Sequence, residues 1–215
     1  VHIKSASFLN EIACDIPEIA FRLAEKFWPG PLTLVLKKQP HISGMVTAGK
    51  ETVAVRVPNH PTTLALLEAL DFPLAAPSAN PFGSISPTSA VHVSNYFKDE
   101  LEIILEGGAC ERGVESTIIG FEDNLPLLYR HGSIAQEQIE QIVGTLKVIT
   151  NKENKPDAPG MLSRHYAPGT DTYLTAHITA SLKRFEGKKV GLLLFKAGFS
   201  SNTPIIQEIL SPKGD

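Results

Sequence analysis

The chain has 215 residues, 42% of them hydrophobic and 20% charged, with a formal net charge of −3. That is enough apolar mass for one good core and a smaller second one, and it lacks the basic excess of a dedicated DNA or RNA binder. No apolar run approaches the ~20 residues that a membrane helix needs. The two cysteines, Cys14 and Cys110, form no CxxC pair, which argues for free thiols in a reducing, cytoplasmic setting rather than a disulfide framework or a thiolate zinc site.

Taken in chain order, Val1-His2-Ile3 reads as the end of a strand. Asp15 to Phe27 predicts a helix, with Asp15 as cap, Pro17 in the first turn and Ile19, Leu23 and Phe27 on one face. Trp28-Pro29-Gly30-Pro31 stops it. Leu32 to Leu36 and Thr52 to Val57 predict strands, the second alternating with β-branched residues. Pro61 to Leu70 predicts a helix with proline in its first turn, and Leu74 to Ala76 a short strand. Ser86 as cap and Pro87 at the first helical position predict a helix reaching about Phe97. Glu102 to Leu105, Ser116 to Phe121 and Leu127 to Arg130 predict further strands. Ser133 caps a predicted helix over Ala135 to Val143, and a strand near Lys147 to Ile149 completes the unit.

Asn151 to Thr170 is polar, carries proline and glycine and has no apolar period, which marks an interdomain linker. Beyond it, Ala176 to Phe185 predicts a helix and Lys189 to Phe195 a buried strand. The closing Ser211-Pro212-Lys213-Gly214-Asp215 adds no element, so the sequence is expected to be part of a longer one. Strands interleaved with helices predict an α/β class with a twisted mixed sheet. The expected domains are a first unit over residues 1–150, a linker over 151–170 and the start of a second over 171–215.

Four segments carry more than plain structure. In Thr52-Val53-Ala54-Val55-Arg56-Val57 the valines share one face and Thr52, Ala54 and Arg56 the other. Arg56 is therefore either solvated or lines a cleft, where its fork suits a carboxylate. Ala76-Pro77-Ser78-Ala79-Asn80-Pro81 reads either as an Asn-Pro turn or as a small-residue approach to a ligand, with Ser78 and Asn80 aimed from one turn. Ser86-Pro87-Thr88 reads as a helix cap or, through the free N–H groups and dipole of a helix start, as an anion site. Gly113-Val114-Glu115-Ser116-Thr117-Ile118 enters a strand with small hydroxylic side chains able to donate to a carboxylate or a phosphate. No GxxxxGK[ST], GxSxG or HExxH occurs, and the histidines show no ligand spacing.

In order along the chain, Phe27-Trp28-Pro29-Gly30-Pro31-Leu32-Thr33, Val55-Arg56-Val57-Pro58, Pro77-Ser78-Ala79-Asn80, Gly113-Val114-Glu115-Ser116-Thr117-Ile118 and Arg130-His131-Gly132 resemble the YrdC family of threonylcarbamoyl-AMP synthases. Pro159-Gly160-Met161-Leu162-Ser163-Arg164-His165-Tyr166-Ala167-Pro168 resembles the linker of that family's two-domain members, whose second domain is Rossmann-like. The resemblance implies a nucleotidyltransferase that joins L-threonine, bicarbonate and ATP, the last with Mg²⁺, and releases pyrophosphate. It further implies a downstream enzyme that transfers the threonylcarbamoyl group to transfer RNA, and leaves room for direct contact with transfer RNA. By residue, Arg56, Ala76 and Ser116 resemble threonine-pocket positions. Thr52, Ser78, Asn80, Ser86, Arg130 and Tyr166 resemble ATP contacts; no nucleophile, general base or protein metal ligand is assigned. The chain departs from the pattern in lacking the family's opening Pro-Thr-Asp/Glu-Thr-x-Tyr-Gly segment and its Lys-x-Arg pair, which implies weakened triphosphate binding by this stretch alone. Two rival readings are an RNA-binding module of this fold and a domain of a carbamoyl-transferring maturation factor.

Overall fold

The computed structural model describes residues 1–149, 170–200 and 205–213. The chain divides into two compact units, Val1–Pro168 and Gly169–Asp215.

The first unit opens with a 3₁₀ turn at Ala6–Phe8, then α1 (Leu9–Ile12) and α2 (Glu18–Phe27). Next come β1 (Leu32–Lys37), β2 (Thr52–Val55), α3 (Pro61–Glu68) and α4 (Ala90–Phe97), the last running into a 3₁₀ turn at Lys98–Glu100. β3 (Thr117–Glu122), β4 (Leu125–Arg130), α5 (Gln136–Val143) and β5 (Lys147–Val148) complete it. The sheet runs β2-β1-β3-β4-β5. β1 pairs antiparallel with β2 and parallel with β3, β3 antiparallel with β4, and β4 parallel with β5, so the sheet is mixed.

Period-two alternation gives this sheet two unlike faces. On one, Leu32, Leu34 and Leu36 of β1, Val53 and Val55 of β2, Ile119 of β3 and Leu128 of β4 form the main core with Leu9, Ile12, Ala20, Leu23, Ala24 and Ile139 from α1, α2 and α5. Each fully buried leucine here contributes about 1.5–3 kcal/mol relative to exposure. On the other, Val35 and Ile118 form a small apolar patch with Ala54 and Tyr129, bordered by polar side chains. Val1 to Ile3 extend the β2 edge: His2 bridges Arg56 in parallel and Leu74 in antiparallel sense.

Several element limits differ from the expectations. α2 starts at Glu18, because Pro17 holds an extended conformation (φ −63°, ψ 144°) and Asp15 sits at φ 49°. Asp15 pairs instead with Lys37 at 2.6 Å. α4 begins at Ala90 with Ser89 as its cap, accepting from the His92 N–H at 3.4 Å, so Ser86-Pro87 lies in the preceding loop. α5 is preceded by Ala135, whose N–H donates to Gln138 Oε1 at 3.2 Å, while the Ser133 hydroxyl donates to the Val114 and Glu115 carbonyls. Glu102 to Leu105 forms no strand: Ile103 and Leu105 are 78% and 60% exposed, with no pairing among the described residues. Leu74 to Ala76 is reduced to the single Leu74 bridge.

The second unit holds α6 (Ile178–Arg184) and a parallel pair, β6 (Gly191–Leu194) with β7 (Ile206–Ile209). Of β6 only Leu194 is buried, so the strand is half-covered rather than interior as expected.

Candidate functional site

The polar end of the second sheet face is assembled by one tight loop. Trp28-Pro29-Gly30-Pro31 leaves α2 through a cis Trp28-Pro29 bond, and the Trp28 indole donates to the Leu32 carbonyl at 2.7 Å. Gly30 N–H donates to the Val57 carbonyl at 2.9 Å, and the Pro31 carbonyl accepts the Thr117 N–H at 3.0 Å. The loop thus bridges the end of β2 and the start of β3. Gly30 is required there, since a Cβ would lie 2.2 Å from the Phe27 carbonyl oxygen.

Arg56 projects from the end of β2 onto this face. Its Nε donates to the Gly30 carbonyl at 2.9 Å, which fixes the plane of the guanidinium and leaves its terminal nitrogens directed elsewhere. Burial first, and the Arg130 guanidinium second, push its pKa below the usual arginine value. A half-buried cation facing a second cation is a site that favours an anion. Beside it, buried Thr33 and Ser116 share a hydrogen bond of 2.7 Å between their hydroxyls.

Arg130 closes the group from β4. Its Nε and Nη2 donate to the Ser116 carbonyl at 3.2 and 3.0 Å, Nη2 also reaches Ser116 Oγ at 3.2 Å, and Nη1 pairs with Glu115. The other Glu115 oxygen accepts from the Ser86 hydroxyl at 3.1 Å. Gly132 allows the chain to turn hard against this point, because a Cβ there would lie 2.4 Å from the Ser116 C and Thr117 N atoms.

The structure therefore brings together Arg56, Ser116, Arg130 and, through Glu115, Ser86. Thr52 shares the Arg56 face of β2 but stands four residues away, roughly 13 Å along the strand. Ala76 and Ser78 lie on an exposed loop that starts beside the His2 bridge, with no hydrogen bond to the cluster among the described residues. Asn80 donates to the Pro81 and Ser84 carbonyls at 3.1 and 3.2 Å, while its buried Oδ1 has no partner among the described residues. Tyr166 lies outside the described residues. Among those described, no three His, Cys, Asp or Glu side chains gather as a metal site, and both cysteines are free.

Three further residues belong to the group. Thr33 was legible, since β1 alternation turns it away from Leu32 and Leu34. Glu115 lay inside a singled-out segment with nothing local to give it a role. His2 comes from the chain's opening, where its register sets it on the Arg56 face. Burial, then the N-terminal ammonium and Arg56, push its pKa down to about 4, so its imidazole is neutral at pH 7.

Two family models and several known proteins match the chain. Residues 134–213 match the model described as "Threonylcarbamoyl-AMP synthase, C-terminal domain". Threonylcarbamoyl-AMP synthase of Pyrococcus abyssi is 41% identical over 208 residues, covering 90% of this chain and 61% of the relative. That of Bacillus subtilis is 45% identical over 172 residues, covering 78% and 50%. The chain thus spans between half and two thirds of these relatives' length. The crystal structure of P. abyssi Sua5 complexed with L-threonine superposes with a TM-score of 0.84 at 36% identity, covering 96% of this chain and 64% of that one. The Escherichia coli YciO crystal structure superposes at 0.54 and 27% identity, covering 60% and 63%. Residues 1–132, which carry the whole polar cluster, match the Sua5/YciO/YrdC model described as "Telomere recombination", and the chain belongs to that family.

Proposed function

We propose that the protein to which this chain belongs is an L-threonylcarbamoyladenylate synthase. The observation that carries the reading is Arg56: a half-buried guanidinium held by one nitrogen on the Gly30 carbonyl, beside paired hydroxyls and a second arginine. Its terminal nitrogens suit the carboxylate of an amino acid, as a two-pronged charge-assisted pair. The names of the relatives and the L-threonine complex of the P. abyssi protein support threonine as that amino acid.

In this reading the threonine amine and bicarbonate give a carbamate and water. A carbamate oxygen then attacks the α-phosphorus of ATP, the bond to the bridging oxygen breaks, and pyrophosphate leaves. The chain's own residues bind and orient rather than exchange bonds, which is where most of the rate gain in phosphoryl-type transfer lies. Arg56 fixes the threonine carboxylate, the Thr33–Ser116 hydroxyls and neutral His2 line that pocket with Ala76, and Arg130, Ser86, Ser78, Asn80 and Thr52 face the nucleotide. ATP enters with Mg²⁺, which supplies charge neutralisation to the leaving pyrophosphate. The residues fit such an ion held chiefly by the triphosphate, with the unpartnered Asn80 Oδ1 as a protein oxygen for it or its water.

The division that goes with this reading is a catalytic unit over residues 1–150, a linker over 151–170 and the start of a Rossmann-like domain over 171–215, with Tyr166 assigned to the nucleotide by the family resemblance alone. The product is passed to an enzyme that modifies transfer RNA in the cytoplasm; no helix among the described residues is long and apolar enough to cross a membrane. The test is pyrophosphate release by the whole protein carrying this sequence, with ATP and bicarbonate, comparing L-threonine with L-serine. Release that ignores the amino acid leaves only a nucleotide-binding fold, and salt-dependent RNA binding without turnover restores the RNA-module reading.

A further inference from the structure

Glu115 has no contact assigned to substrate, yet two of the nucleotide-side residues meet on it. One carboxylate oxygen accepts from Ser86, 29 residues away in the loop before α4, and the other from Arg130, 15 residues away at the end of β4. The Arg130 and Glu115 side chains are only 14% and 18% exposed. The Glu115 backbone is itself pinned, its carbonyl accepting the Ser133 N–H at 3.0 Å and the Ser133 hydroxyl at 3.2 Å.

We propose that Glu115 is a positioning residue that locks Ser86 and Arg130 into one nucleotide-holding unit and presents the Ser86 hydroxyl to the ligand as an acceptor. The inference rests on the synthase reading above and sharpens it. A hydroxyl has one proton, and a carboxylate can only accept. With that proton given to Glu115, Ser86 offers the ligand lone pairs alone. A phosphate oxygen is also an acceptor, so Ser86 suits an amine or hydroxyl of the nucleotide, not its phosphates. On the other arm, Arg130 is oriented from two sides, by Ser116 and by Glu115. The carboxylate also offsets the repulsion between Arg130 and Arg56, which lets both guanidinia face one site.

The test is calorimetric affinity for ATP and for L-threonine in the whole protein carrying this sequence, for wild type, Glu115→Ala, Glu115→Gln, Ser86→Ala and the Glu115→Ala/Ser86→Ala pair. Glu115→Ala should weaken ATP about tenfold to a hundredfold, the range for charge-assisted bonds, and change L-threonine affinity much less. Glu115→Gln keeps one carbonyl oxygen for two donors and should fall between; it also carries the test if the alanine variant does not fold. Adding Ser86→Ala to Glu115→Ala should cost nothing further. Inosine triphosphate and 2′-deoxy-ATP show which donor is read, since Ser86→Ala should erase the preference for ATP over one of them. Unchanged ATP affinity in both Glu115 variants, additive losses in the pair, or equal weakening of inorganic triphosphate by Ser86→Ala would each overturn the proposal. Wild type that binds ATP without threonine-dependent pyrophosphate release defeats the synthase reading and leaves the Glu115 comparison decisive. Wild type that binds no ATP defeats both.

Discussion

Replacing Arg56 separates binding from folding more cleanly than any other change in the site. Among the described residues the side chain makes one hydrogen bond, Nε to the Gly30 carbonyl at 2.9 Å, and its burial and its neighbour Arg130 both work against its charge. Folding therefore gains little from it: the single bond contributes about 1.5–3 kcal/mol at most, and desolvation and like-charge repulsion offset part of that. A threonine carboxylate changes the balance, because it meets a guanidinium already desolvated and oriented. Losing that charge-assisted pair costs about 1.5–3 kcal/mol, or roughly 13- to 160-fold in the threonine KM. Arg56→Ala should show this rise with a nearly unchanged melting temperature and an ATP KM close to wild type. Arg56→Lys keeps the charge but not the planar fork, and should recover only part of the loss. The assay is pyrophosphate release with threonine titrated at saturating ATP and bicarbonate. If the threonine KM stays put while that for ATP rises, Arg56 serves the nucleotide and the pocket has been read the wrong way round.

Two further changes test how the site is built. Gly132→Ala sets a Cβ 2.4 Å from backbone atoms of Ser116 and Thr117, a clash no rotamer relieves. It should cost about 1–3 kcal/mol, seen as a melting temperature lower by roughly 2–12 °C, and raise the threonine KM because Ser116 must move. His2 gives a pH signature in this polypeptide. Its pKa is about 4 in the fold against an ordinary histidine value of 6.5, so the unfolded chain binds the extra proton across that interval. The stabilisation is full above pH 6.5 and disappears as pH falls toward 4, amounting to on the order of 2–3 kcal/mol. His2→Gln should flatten that part of the stability curve in chemical denaturation; an unaltered slope means the imidazole is exposed and away from Arg56.

What was legible in the sequence was local. Alternation in Leu32–Lys37 and Thr52–Val55 separates core from site face and correctly sends Thr33 and Arg56 one way and the leucines and valines the other. Ser86 misled because its local signature, serine before proline at a helix start, is that of a cap. Ser89 three residues on has the same chemistry and caps α4, while the Ser86 hydroxyl donates to Glu115 instead. A competitor 29 residues distant leaves no mark on a local pattern. Glu102 to Leu105 failed for the opposite reason: its apolar residues promise a strand, but strand propensity is realised only where a partner edge is free to pair.

Arg130 shows most sharply why the site could not be assembled from pattern alone. With Leu128 in the core, simple alternation would turn Tyr129 to the site face and Arg130 back toward the core, where an arginine has no counterion and no water. The register between β3 and β4 slips at Ile118/Ile119: Ile119 pairs with Leu128, but Ile118 pairs with Arg130. Two residues of β4 then oppose one of β3, the geometry of a β-bulge, which bends the strand and re-aims a side chain. Tyr129 settles over Gly120, whose missing Cβ leaves room for the ring (a Cβ would lie 2.4 Å from it), and Arg130 turns onto the site face beside Ser116. The one-residue slip is what supplies the second guanidinium, and the glycine opposite makes room for the slip. Arg56 is on the site face by ordinary pleating, Arg130 only by its interruption, and the anion-seeking character of the cleft comes from the two meeting there.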